Sequence, residues 1–265
     1  MRKRLFAIAA ATGLVVATPT QAKLVAITIT VQNLAAANSV SFAPLRFSFN
    51  NGSFDAFDIG GVATAPIISI AEGGSGADWL PAFAAADPTA VIASTMGGAQ
   101  LPGSTQSLTF RVDTAVNPFF TFASMVVPSN DFFIGNDDPM EYRLFDASGN
   151  LLIDTIEQFG SDIWNAGSEA FDPANAAFLV GGVNDLRTPE GGVVAFNFTE
   201  LAQFNGLTTA AGYMFNSGLA ADSDIYRISF ATAAVPEPAT WAMMIVGFAL
   251  VGARKRGWRA VSVVG

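Results

Sequence analysis

Leu24-Val25-Ala26-Ile27-Thr28-Ile29-Thr30-Val31 alternates apolar with small polar residues, the period-two pattern of a strand with one face buried and one face wet. Outward from it, runs of the same kind recur at Ser107 to Val112, Phe119 to Val127, Tyr142 to Asp146, Leu151 to Ile156, Ala177 to Val180, Val193 to Phe198 and Tyr226 to Thr232. Stretches rich in Gly, Asn, Ser and Pro separate them, which predicts an all-β, antiparallel β-sandwich rather than alternating strands and helices. Asp146-Ala147-Ser148-Gly149-Asn150 is turn chemistry between two of these runs, so a hairpin is expected over Tyr142 to Ile156. Between Pro66 and Ala86 the apolar spacing changes to that of two short amphipathic helices, split by Gly73-Gly74-Ser75-Gly76. The 23 phenylalanines recur at strand positions such as Phe119, Phe120, Phe122, Phe196 and Phe198, where sandwich core is the expected use.

Composition restricts the chemistry. The chain has no Cys and no His, which removes disulfides, thiol catalysis, the commonest zinc ligand and the Ser-His-Asp arrangement together. Between Lys23 and Val235 stand six basic and twenty-one acidic residues, a net charge of −15, so this part of the chain repels nucleic acid and anionic lipid and favours cations. The other basic residues lie at the two ends, Arg2 to Arg4 and Arg254 to Arg259, an asymmetry that reads as membrane topology.

The ends carry their own signals. Met1-Arg2-Lys3-Arg4, the apolar run Leu5 to Val16 and Thr20-Gln21-Ala22 follow the order of a secretory signal peptide, residues 1–22, cleaved after Ala22. Residues 23–231 are then one large domain, 232–238 a linker ending in Pro236-Glu237-Pro238, 239–253 an apolar transmembrane helix and 254–265 a basic cytoplasmic tail. Ala239 to Ala253 has the length of a helix of about 22 Å against a hydrocarbon core of roughly 30 Å, which makes a short anchor suited to temporary residence in the inner membrane. Pro236, Glu237, Pro238 and Trp241, with Ala242-Met243-Met244-Ile245 and Gly247-Phe248 behind them, resemble the PEP-CTERM sorting signal. That resemblance implies an exosortase, an integral-membrane transpeptidase-like enzyme of Gram-negative bacteria that make extracellular polysaccharide. It also implies cutting near Pro236-Glu237-Pro238 and transfer to the cell surface or extracellular matrix.

Carboxylates and amides concentrate between Asn130 and Asp172: Asn130-Asp131, Asn136-Asp137-Asp138, Glu141, Asp162, Asn165, Glu169 and Asp172. Such a set offers the hard oxygens that calcium takes from loops, although the spacing matches no EF-hand. Phe120 to Gly135 and Gly160-Ser161-Asp162-Ile163-Trp164-Asn165-Ala166-Gly167-Ser168-Glu169 resemble the spondin domain of F-spondin and mindin, as do Ile29 to Leu34, Asn51-Gly52-Ser53-Phe54 and Ala177 to Gly182. The resemblance implies a C2-like sandwich holding Ca²⁺ on Asp131, Asn165 and Glu169, with Asn165 standing where the pattern has Asp and thereby weakening the site.

Three functions follow as alternatives. The first is a non-catalytic, calcium-binding adhesion or matrix module with an exopolysaccharide or cell-surface ligand. The second is a carbohydrate-active enzyme of the periplasm or surface, using Asp131 with Asp162 or Glu169. The third, a calcium-dependent lipid binder, conflicts with the acidic surface.

Overall fold

The computed structural model describes residues 24–235. In chain order these form β1 (Leu24–Asn33), β2 (Ser41–Phe42), β3 (Arg46–Asn50), α1 (Ala65–Gly73), α2 (Trp79–Ala86), β4 (Val91–Ser94), β5 (Thr105–Asp113) and β6 (Phe119–Val127). There follow β7 (Phe132–Gly135), β8 (Tyr142–Arg143), β9 (Thr155–Phe159), β10 (Trp164–Asn165), β11 (Ala195–Phe196) and β12 (Asp224–Ala234). Among the described residues every ladder is antiparallel. One sheet has the order β5-β1-β12-β9, the other β11-β10-β7-β6-β3-β4, with β2 and β8 also pairing to β6.

The alternation of β1 has the predicted result. Val25, Ile27, Ile29 and Val31 are buried, while Thr28 and Thr30 face outward and bond across the sheet to Thr109 and Ser107, each at 2.8 Å. The buried face packs on Phe47 and Phe49 of β3 and on Phe120 and Phe122 of β6, and Phe110 and Phe230 close against Phe47 and Phe120 at centroid distances of 5.5 and 4.9 Å. Removing one such buried ring typically costs about 3–5 kcal/mol, so this aromatic layer is the main brace between the sheets.

The second sheet is buried on both sides. Its outer face carries Ala123, Phe133 and Trp164, and the helices cover it with Ile67, Ile70, Trp79 and Phe83. That is why β6 reads as a nearly continuous apolar run instead of alternating. The helix α1 starts at Thr64, whose hydroxyl accepts the Ile67 N–H, and stops at Gly74, which has φ 57° and returns its N–H to the Ile70 carbonyl. The two helices and their glycine break therefore agree with the sequence reading.

Several expectations need correction. Tyr142 to Ile156 is a hairpin only at its tip: the Asp146–Asn150 turn forms and Phe145 bridges Leu151 antiparallel, with the Leu152 N–H on the Leu144 carbonyl at 2.7 Å, but β8 then pairs with β6 in one sheet and β9 with β12 in the other. The turn carries the chain across the sandwich, with Leu144 and Phe145 buried in the crossing. Ala177 to Val180 is not a strand, because Phe178 adopts φ 66°, and only the single bridges Ser129↔Ala177 and Leu179↔Thr209 form there. Phe196 is half-exposed, at 50 %, and is not sandwich core.

β12 continues through Thr232, Ala233 and Ala234, assigned from sequence to the linker, and Ala234 lies opposite Val25. The first and last described strands thus end side by side. The expected signal peptide, transmembrane helix and Pro236, Glu237, Pro238 and Trp241 lie outside the described residues. Among the described residues no helix is long and apolar enough to cross a membrane.

Candidate metal centre

The turn from β6 to β7, Pro128-Ser129-Asn130-Asp131, is closed by the Ser129 hydroxyl, which donates to the Val126 carbonyl at 2.5 Å and accepts the Phe132 N–H at 3.3 Å. This plants Asn130 and Asp131 inside the protein, 2 % and 1 % exposed. β10 pairs with β7, Asn165 facing Phe132, and the Ala166 N–H extends the contact to the Asp131 carbonyl at 3.1 Å. The chain then turns at Gly167, whose φ of 64° is compounded by crowding: a Cβ there would lie 2.5 Å from the Val193 nitrogen. That turn aims the Ser168 and Glu169 N–H groups at Asp131 Oδ2, 2.8 and 3.1 Å away.

Glu169 is brought to the same place, 2 % exposed. Its Oε1 accepts from Asn130 Nδ2 at 3.3 Å, and Asn130 also exchanges hydrogen bonds with the Asp172 backbone at 3.1 Å in both directions. One oxygen of each acid, Asp131 Oδ1 and Glu169 Oε2, is buried without a hydrogen-bond partner. Arg187 is the nearby cation, but it is tied to Glu72 at 2.7 Å and stands 3.6 Å from Glu169 Oε2. Burial dominates the electrostatics. It pushes the Asp131 pKa up to about 6 and that of Glu169 up to about 7; the N–H donors, Asn130 and Arg187 only partly offset it, and neighbouring carboxylates add to it.

The sequence-predicted ligands are thus brought together in part. Asp131 and Glu169 come together through the Glu169 N–H on Asp131 Oδ2, and each keeps one carboxylate oxygen without a hydrogen bond. The Asn165 carbonyl oxygen accepts the Gly167 N–H at 2.6 Å, and its amide nitrogen faces Glu200 at 3.5 Å. Among the described residues no group of three His, Cys, Asp or Glu side chains is arranged to hold a metal ion. Carboxylate oxygens without a donor are the kind that a hard cation takes, and the Asn165 side-chain oxygen is already occupied by the Gly167 N–H. Asp162 belongs elsewhere: its Oδ2 accepts the Phe159 N–H at 2.8 Å, and its charge acts on Glu141 and Tyr142. Sequence reasoning included Asn130 in the acidic cluster but missed Glu72 and Arg187. The one available signal was the scarcity of basic residues, which makes any buried-side Arg a partner for the acids.

Fold and site together define an acidic, antiparallel β-sandwich module with two buried carboxylates at one loop cluster. Its identity comes from the far end of the chain, where residues 234–259 match the PEP-CTERM protein-sorting motif. That motif marks an exported bacterial protein that transits a membrane and is recognised by an exosortase. No family match supports the spondin resemblance of the domain. No curated protein matches the chain.

Proposed function

We propose that this chain is a non-catalytic, spondin-like module of C2 type that an exosortase releases to the cell surface or matrix. In this reading a divalent cation, calcium by its preference for carboxylate oxygens, rigidifies the loops that carry Asp131 and Glu169, and those loops meet a cell-surface or exopolysaccharide partner. The observation that carries it is the pair of buried oxygens, Asp131 Oδ1 and Glu169 Oε2, that no donor satisfies. Near-complete burial of both acids also favours a binding role over glycoside hydrolysis, since a sugar has no access to carboxyls 1 % and 2 % exposed.

Calorimetric titration of the detergent-solubilised full chain with calcium tests the cation. Binding that Asp131→Asn abolishes supports the proposal; no heat and no thermal shift at millimolar calcium overturns it. Mass spectrometry of the extracellular fraction tests the processing, and peptides from Met243 to Arg254 in mature protein would contradict cleavage near Pro236.

A further inference from the structure

At the edge of the sandwich, where β9 borders the first sheet and β10 and β11 border the second, lies a cleft of about 550 Å³. That is within the range of roughly 300–1,000 Å³ typical of small-molecule sites. On one side is an aromatic platform. Trp164, 5 % exposed, stacks on Phe196 directly across the β10–β11 pair, with centroids 3.7 Å apart and planes at 27°. Trp164 is fixed from behind by Phe57 at 5.1 Å, so Phe196 is held flat with half of its surface open to solvent.

The remaining lining is acidic and rich in acceptors. Asp137, Glu141, Glu157 and Asp162 border the cleft, and no Lys or Arg is among the described residues that line it. Arg227 neutralises Glu157 at 2.7 Å. The other three have only local partners: Asp137 accepts the Ile59 N–H at 3.2 Å, Asp162 bonds the Phe159 N–H and the Ser161 hydroxyl, and Glu141 meets the Tyr142 hydroxyl. None of these contacts supplies a full positive charge. Gln158, 4 % exposed, also lines the cleft; its Nε2 donates to the Glu157 carbonyl at 3.2 Å, whereas its Oε1 has no partner.

An acceptor-rich, uncompensated cleft beside a flat apolar ring calls for a ligand that brings N–H donors, positive charge and an apolar face. A bare metal ion makes no use of Phe196, and an extended basic peptide needs no ring platform. We infer that this cleft binds an amino sugar in its ammonium form, as one residue of a cationic oligosaccharide. The C–H face of the pyranose lies on Phe196, and the ammonium group sits among Asp137, Glu141 and Asp162. The site shares no residue with the Asp131 and Glu169 centre and does not depend on it.

The test is titration of the detergent-solubilised full chain with a fully de-acetylated glucosamine tetramer, its N-acetylated counterpart and tetralysine. The glucosamine tetramer is expected to bind at least about ten-fold more tightly than either control, a margin of one charge-assisted contact. Phe196→Ala should weaken it by about ten-fold and Glu141→Gln by several-fold; the thermal midpoint should be unchanged for the exposed Glu141→Gln and lowered for Phe196→Ala, which uncovers Trp164, with the circular dichroism of both matching the parent. Asp131→Asn should leave this affinity as it is, which separates the cleft from the cation site. Absence of binding, equal affinity for the acetylated tetramer or tetralysine, or indifference to both Phe196→Ala and Glu141→Gln overturns the inference.

Discussion

The Asp131 carboxylate accepts the backbone N–H of Glu169 at 3.1 Å, so the loop after β6 clamps the loop after β10 through the very residue whose own carboxylate it faces. The same oxygen takes the Ser168 N–H and, at 3.5 Å, the Ser168 hydroxyl, which concentrates both backbone donors on Oδ2 and none on Oδ1. Asp131→Ala deprives both donors of their acceptor and is expected to destabilise the protein by about 2 kcal/mol or more. Asp131→Asn keeps a carbonyl oxygen for them while removing a buried charge, and should be at least as stable as the parent at pH 8. Urea unfolding in chelator checks both; equal losses in the two variants would refute the clamp.

Acidity should favour the fold at this site. Asp131 and Glu169 have folded pKa values of about 6 and about 7, above their ordinary values of 3.8 and 4.5, so the folded state binds protons more tightly than the unfolded state. Their contribution is fully present below pH 4 and is lost as pH rises through about 6 and then about 7. Each tenfold difference in proton affinity between the two states is worth about 1.4 kcal/mol, so the loss is on the order of a few kcal/mol. Between pH 5 and pH 8 in chelator, the stability of the parent should therefore fall relative to the Asp131→Asn/Glu169→Gln double variant. A cation bound between the two carboxylates should flatten that difference.

Arg187 competes with any such cation for Glu169 Oε2. Arg187→Met leaves Glu72 and Glu169 without their shared positive charge and should cost about 1–2 kcal/mol at pH 8 in chelator. The calcium-induced rise in thermal midpoint should be larger than in the parent. A smaller rise would show that Arg187 supports the cation instead of substituting for it.

Gly167 and Gly181 both have positive φ, 64° and 82°, but differ in their surroundings: backbone of Val193 crowds the first, and nothing lies within 4 Å of a Cβ on the second. Gly167→Ala should cost clearly more than the roughly 1–2 kcal/mol of left-handed strain expected for Gly181→Ala, and should weaken calcium binding, because it displaces the Ser168 and Glu169 N–H groups. Paired denaturation and calcium titration of the two variants test this.

The strands with a simple face rule were legible. β1 alternates because only its inner face is covered, and β12 follows it. β3 was not picked out although Arg46-Phe47-Ser48-Phe49-Asn50 alternates polar with apolar residues, because five residues carry only two apolar positions. What the alternation does not reveal is that Ser48 and Asn50 are buried as well as Phe47 and Phe49. At the site, Asp131 and Glu169 could be read from local motifs, whereas Glu72 and Arg187 meet them only because α1 packs over the second sheet beside the later loop. The cleft escaped for a related reason: Phe196 reads as core by composition, and only its place on a two-residue edge strand leaves it open.

The pairing of β1 with β12 also decides how the domain bears force. β12 is flanked by β1 on one side and β9 on the other, with hydrogen bonds perpendicular to its axis, and the sorting signal begins where its ladder with β1 ends. Tension applied through that end toward a load held elsewhere on the domain runs along the strand. The two ladders then resist in shear, sharing the pull among their bonds, instead of opening one bond at a time like a zip. Pulled by its C-terminal end, the domain therefore meets force in its mechanically stronger direction.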